Sequence, residues 1–121
     1  FGEVKIDSKL VKKSVAKANC ATFINKLKNK LDHNISEHGK NFSVGQLQRI
    51  GLARMIYFDN EIFFFDEPTS ALDIKSQIKF VNLLKKFKNK KTIVIVSHQK
   101  NILNDCNKIY KVKNNKIIRI R

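Results

Sequence analysis

Asp66 and Glu67 are the residues best placed by type and context to do chemistry. They follow Ile62-Phe63-Phe64-Phe65 and precede Pro68-Thr69-Ser70-Ala71-Leu72-Asp73. Four apolar residues in a row are expected to form a short strand buried on both faces. Pro68 stops that strand, because proline has no N–H and restricts the residue before it. Carboxylates at the end of a strand in an open α/β sheet stand where ligands bind. Beside a phosphate, the first can hold Mg²⁺, directly or through water, and the second can polarise a water. A buried strand followed by a plain charged turn would look the same, so the pair alone does not decide.

The next run of strand type supplies a third group. Thr92-Ile93-Val94-Ile95-Val96 is β-branched throughout and ends in Ser97-His98. It is read as a second buried strand. Between the two strands a helix is expected over Ile74 to Phe87, with Ile74, Ile78, Val81, Leu84 and Phe87 on its apolar side. Strand, crossover helix and strand make a parallel pair. That topology brings His98 to the same edge of the sheet as Glu67.

A fourth group precedes the first strand. Ser43 is a natural N-cap, and Gln46 falls three residues later, as in a capping box. Leu47, Ile50, Ala53 and Ile56 or Tyr57 continue a helical stripe, with Gln48, Arg49 and Arg54 off it. A helix start with free N–H groups, a hydroxyl and Gly45 nearby can cradle a phosphate. An ordinary capped helix has the same pattern.

The rest of the chain reads as scaffold. Phe1 to Ile6 is ambiguous between strand and loop. Asp7 or Ser8 caps a helix carrying Leu10, Val11, Val15 and Ala18. A second helical segment is expected with Ala21, Ile24 and Leu27 or Leu31 on one face. Asp32 to Asn41 is loop, and His33 and His38 in it read as solvated residues with poor metal-ligand geometry. After His98 comes a short helix, Lys100 to Cys106. Lys108 to Val112 and Lys116 to Ile120 flank Asn114-Asn115 as a hairpin.

The chain has 121 residues, 42% of them hydrophobic, so composition places it among single folded domains and not among disordered chains. No apolar run approaches the roughly 18 residues of a membrane span. The formal charge of +15 comes from 25 Lys and Arg against 10 Asp and Glu. The excess is nearly all lysine, thinly spread and without interleaved aromatics, which argues against a stacking platform for nucleic acid. Cys20 and Cys106 stand in no metal-ligand spacing and read as reduced thiols.

Taken together, the motifs resemble the C-terminal half of the ATPase domain of ATP-binding cassette (ABC) transporters. Phe42-Ser43-Val44-Gly45-Gln46 is similar to the family's signature, Leu-Ser-Gly-Gly-Gln. Gln48-Arg49-Ile50 and Leu52-Ala53-Arg54 match the helix after it. Ile62 to Glu67 matches the Walker B strand and its glutamate, Ser70-Ala71-Leu72-Asp73 the D-loop, and Ser97-His98 the switch histidine. Glu37, Gly39 and Asn41 look most like the exporter branch, which includes lipid, lipid-linked glycan and peptide or protein exporters.

The resemblance implies a partial P-loop NTPase fold of class α/β, with parallel strands, flanking helices and part of the helical subdomain. It divides the chain into a helical portion, 1–58, and the C-terminal part of the α/β core, 59–121. It also implies roles. Asp66 would help hold Mg²⁺, Glu67 would polarise the attacking water, and His98 would contact the γ-phosphate of ATP. Ser43 and Gly45, with Gln46 beside them, would reach ATP held by a second ATPase domain, and Asp73 would carry signals across that dimer. A transmembrane domain would be the other partner, placing the assembly at the cytoplasmic face of the membrane; expressed as this piece alone, the chain would be soluble and cytoplasmic.

No Gly-rich loop with Lys-Ser or Lys-Thr occurs in the chain. The resemblance puts the phosphate loop upstream of Phe1, so the chain alone is expected to bind ATP poorly and to expose an edge of its sheet. Val44 stands where the signature has its first glycine, and its branched side chain would occupy space near the phosphate. A non-catalytic remnant and a non-transport ABC ATPase are the competing readings.

Overall fold

The structure is a computed structural model that describes residues 5–36 and 41–121. The readings at Phe1 to Val4, Glu37, His38 and Gly39 lie outside the described residues.

Helix α1, Ser8–Lys17, begins where Asp7 accepts hydrogen bonds from the N–H groups of Lys9 and Leu10, at 2.8 and 3.1 Å. It ends at Asn19, which takes a positive φ of 55°. The N–H groups of Asn19 and Cys20 return to the carbonyls of Ala16 and Val15, a Schellman closure. The expected second helix is only one turn, α2, Ala21–Ile24. A 3₁₀ turn, Lys30–Asp32, follows. Positive φ at Lys30, 46°, is incompatible with a continuous helix, so Leu27 and Leu31 do not extend the face begun by Ala21 and Ile24.

Helix α3, Val44–Tyr57, starts in the expected capping box. The Ser43 Oγ accepts from the Gln46 N–H, and the Gln46 Oε1 accepts from the Ser43 N–H at 2.8 Å. It closes like α1, with Asp59 at φ 51°. Strand β1, Ile62–Asp66, pairs in parallel with β2, Thr92–Val96, so that Asp66 lies opposite Val96. Helix α4, Ile74–Lys85, makes the crossover. Helix α5, Lys100–Leu103, is shorter than expected and continues only as turns toward Cys106. Strands β3, Tyr110–Lys113, and β4, Lys116–Arg119, form the expected antiparallel hairpin. Asn114 and Asn115, at φ 50° and 57°, form a turn that needs both residues left-handed.

One core joins these pieces. Ala18, Cys20 and Ile24 pack with Leu52 and Ala53 of α3, Phe63 of β1, and Phe80, Leu83 and Leu84 of α4. Two expectations about burial need correction. Neither strand is buried on both faces: Phe63 is fully buried, but Ile62 and Phe64 are 60% and 62% exposed, and Val94 and Val96 are exposed on β2. The described elements cover only one face of this two-stranded sheet, so alternate residues look outward. On α4 the inward face is set by Phe80, Leu83 and Leu84, while Ile74 and Ile78 are exposed. His33 is a third correction. It is half-buried, lies edge-on to Phe42 at 5.9 Å and hydrogen-bonds Asn41 at 3.2 Å, and so is not a freely solvated loop residue.

Candidate active site

The C-terminal ends of β1 and β2 present the acidic pair and the histidine on one rim. The Glu67 N–H donates to the Val96 carbonyl at 2.9 Å, which carries the parallel pairing one residue past β1. Glu67 itself takes φ 43°, a left-handed conformation uncommon for a side chain of its size. Its carbonyl then accepts from the Ser70 N–H and hydroxyl, at 3.2 and 3.0 Å, and turns the chain. The Glu67 Oε1 lies 2.8 Å from the His98 Nδ1, and the Ser97 hydroxyl reaches the Glu67 Oε2 at 3.5 Å. His98 is open to solvent and Glu67 only half so. The histidine can therefore meet a ligand from outside while fixing the carboxylate behind it.

The Asp66 side chain is exposed and its carboxylate accepts no hydrogen bond among the described residues. That suits a hydrated divalent cation, since Mg²⁺ keeps several of its waters and takes one or two carboxylates. Among the described residues no three His, Cys, Asp or Glu side chains gather as a metal cage. Asp73 is committed locally. It caps α4 by accepting from the Ser76 N–H at 3.0 Å and the Ser76 hydroxyl at 2.7 Å, and those bonds hold its carboxyl below the ordinary value.

The start of α3 stands apart from the rim but is tied to it. Among the described residues the N–H groups of Val44 and Gly45 have no acceptor, as expected of a first helical turn. A side chain at Gly45 would come within 3.3 Å of the Leu72 Cδ2, so glycine keeps α3 against the loop that carries Asp73. Val44 is 47% exposed at that same helix start.

Sequence reasoning missed the side chains that fasten the loop between β1 and α4. Thr69 is fully buried, and its hydroxyl donates to the Gln99 Oε1 at 2.6 Å. The Gln77 Nε2 donates to the carbonyls of Thr69 and Leu72, at 3.2 and 2.9 Å, and Asn101 bonds Gln77 in turn at 2.9 Å. From α3, the Gln48 side chain donates to the Pro68 carbonyl. Three glutamines, on α3, on α4 and just before α5, thus hold one strip of backbone. Only Gln48 carried a signal in the sequence, its place off the apolar stripe.

The comparisons with known proteins agree with this geometry. The family model for the ABC transporter matches residues 2–70, more than half of the chain. The chain belongs to the ABC transporter family, as a portion of its nucleotide-binding domain. It is 36% identical over 119 residues to the "ATP-dependent lipid A-core flippase" of Wigglesworthia glossinidia brevipalpis, covering 98% of this chain and 20% of that protein. It is 34% identical over 118 residues to "ABC transporter B family member 21" of Arabidopsis thaliana, covering 98% of this chain and 9% of that protein. Among solved structures, a bacterial Atm1-family ABC exporter with ATP bound superposes with a TM-score of 0.81 at 24% identity, over 96% of this chain and 20% of that one. The α/β fold of the ABC ATPase is thus the expected one. The chain spans a fifth or less of the length of these three relatives. No helix among the described residues is long and apolar enough to cross a membrane.

Proposed function

We propose that this chain is the part of an exporter's nucleotide-binding domain that supplies the general base and the signature helix, within a polypeptide that couples ATP hydrolysis to transport. The observation that carries the reading is the pair Glu67 and His98, 2.8 Å apart at the ends of two parallel strands. Bound Mg²⁺ and ATP supply the electrophilic phosphoryl group. Asp66 would hold a hydrated Mg²⁺ there, which would polarise that phosphoryl group. The Glu67 carboxylate, half withdrawn from solvent, accepts a proton from water, and His98 holds it at one oxygen so that the other stays directed at that water. The His98 ring presents its far nitrogen, Nε2, to solvent; with Nδ1–H committed to Glu67, it donates from Nε2 toward a phosphoryl oxygen only as the imidazolium. Ser43 and the unpaired N–H groups of Val44 and Gly45 receive an anionic oxygen at the start of α3, that of a nucleotide held by a second such domain. Asp73 and the strapped loop beside it report that contact to Glu67. The partners are a second nucleotide-binding domain and a transmembrane domain, and the working place is the cytoplasmic face of a membrane.

The test is Mg²⁺-dependent ATP hydrolysis by the full-length polypeptide that contains this chain. Loss of a general base costs about 10²- to 10⁴-fold. Glu67→Gln is expected to lose activity on that scale while the fold is retained; an unchanged rate would refute the assignment.

A second reading is favoured by one observation, Val44 at the first position of α3. Val44 is 47% exposed at the first position of α3, and a branched side chain there would narrow the approach of an anion to the first-turn N–H groups. In a damaged half-site, Val44→Gly raises hydrolysis. An unaltered rate removes the remnant reading.

A further inference from the structure

The backbone of Glu67 sits at φ 43°, a conformation that persists only where surrounding contacts over-determine it. Its carboxylate has two partners among the described residues, the His98 Nδ1 at 2.8 Å and the Ser97 hydroxyl at 3.5 Å. Both follow β2, which ends at Val96, so strand pairing does not fix their side chains. Gln99 is the residue that spans the gap. Its backbone N–H donates to the Ser97 Oγ at 3.1 Å, which leaves the hydroxyl hydrogen for the Glu67 Oε2. Its side chain grips Thr69 at both ends of the amide. The Thr69 hydroxyl donates to the Gln99 Oε1 at 2.6 Å, and the Gln99 Nε2 donates to the Thr69 carbonyl at 3.5 Å. Thr69 is fully buried and stands two residues past Glu67. Gln48 and Gln77 also hold this loop, at the Pro68 and Thr69 carbonyls, but neither touches Glu67, Ser97 or His98.

We propose that Gln99, anchored on Thr69, is a positioning residue for hydrolysis: it sets the Ser97 hydroxyl and the His98 ring against Glu67, so that the carboxylate meets water in one orientation. The inference rests on Glu67 being the general base. Gln99 makes no bond to Glu67 and acts through its two neighbours. His98 fixes Oε1, the Ser97 hydroxyl takes one lone pair of Oε2, and the other is left for water. Without the grip on Thr69, the segment after β2 is free to shift relative to the loop after β1. A misplacement of about 1 Å at a reacting group can cost about 10²-fold in rate. A buried hydroxyl needs a partner in any protein, so the Thr69 contact would form for stability alone. What separates the two roles is whether the rate responds through Glu67.

The experiment measures kcat and KM for Mg²⁺-dependent ATP hydrolysis by the full-length polypeptide that contains this chain, in the parent and in a Glu67→Gln background. Gln99→Met keeps the length of a half-buried side chain and removes both bonds to Thr69. It should lower kcat by about tenfold to a hundredfold and leave KM within about twofold. In the Glu67→Gln background the same change should alter the residual rate by less than about twofold, because no base is left to aim. Thr69→Val should slow the parent in the same way, Thr69→Ser should regain most of that loss, and the double variant Thr69→Val/Gln99→Met should be no slower than the slower single one. If Thr69→Val fails to fold, Gln99→Met in the two backgrounds decides alone. A parent-like kcat in Gln99→Met, with Glu67→Gln slow, overturns this inference and leaves the base assignment standing. An equal proportional loss in both backgrounds also overturns it, as the mark of a structural role. A parent-like rate in Glu67→Gln overturns the base assignment and this inference together.

Discussion

The two faces of the β1/β2 pair are made from the same residue types yet live in different surroundings. Phe63, Phe65, Ile93 and Ile95 look toward α3 and α4 and join the core, with the Phe63 and Phe87 rings edge-on at 5.5 Å and Phe65 and Phe80 likewise. Ile62, Phe64, Val94 and Val96 look outward and stay open. Side chain alternation divides four consecutive apolar residues evenly between those faces. Strand hydrophobicity therefore reports how many faces a strand was built to bury, and the structure reports how many the described elements cover.

Four substitutions, followed by urea denaturation, would break or sharpen that contrast. Phe63→Ala should be the most damaging, at about 3–5 kcal/mol, because it opens a cavity in the packed face. Thr69→Val comes next, at about 1–3 kcal/mol, since it strips the Gln99 amide of its hydroxyl partner in a buried place. Ser43→Ala should cost about 1 kcal/mol, the ordinary loss of an N-cap. Phe64→Ala should fall within about 0.5 kcal/mol, as an exposed position does. A cost for Phe64→Ala comparable with that of Phe63→Ala would mean that the outer face is covered in solution.

Titration offers a finer probe of the packed side. Burial pushes the Cys20 thiol up to about 11 from 9.0. The folded state thus resists the thiolate, and stability should be full below pH 9.0 and decline as pH rises from there through about 11. Alkylation at pH 8 should accordingly label Cys106, which is half-buried, well before Cys20. Simultaneous labelling would show that the core opens more readily than the packing implies.

What the sequence could convey depended on how local the cause was. The capping box at Ser43 and Gln46, the Asp7 cap and the Asn114-Asn115 turn are decided within four residues, and each formed as read. The meeting of Glu67 and His98 was legible too, because a helical crossover makes the two short strands parallel and so leaves their C-terminal ends side by side. The inward side of α4 was half legible: Leu84, and Phe87 just past its end, reach the core as read, while Ile74 and Ile78 do not. Ile74 and Ile78 fit a helical period as well as Phe80, Leu83 and Leu84 do, and only the position of β1 chooses between them. The glutamine straps were illegible for a related reason. A side-chain amide that bonds a carbonyl anywhere from five to thirty residues away leaves no period and no local pattern, and amides are as common on solvated faces.

The left-handed residue at the end of β1 has a further consequence. At position 67 the side chain and the backbone ask for different amino acids: the proposed chemistry asks for a carboxylate, while a φ of 43° is easiest for glycine. Holding a larger residue in that region costs roughly 1–2 kcal/mol. Glu67→Gly should therefore melt no earlier than the parent, and even later, while being unable to take a proton. Tolerance at this position and competence at it would then run in opposite directions, so a screen for robust folding would select against the residue that the proposed reaction needs.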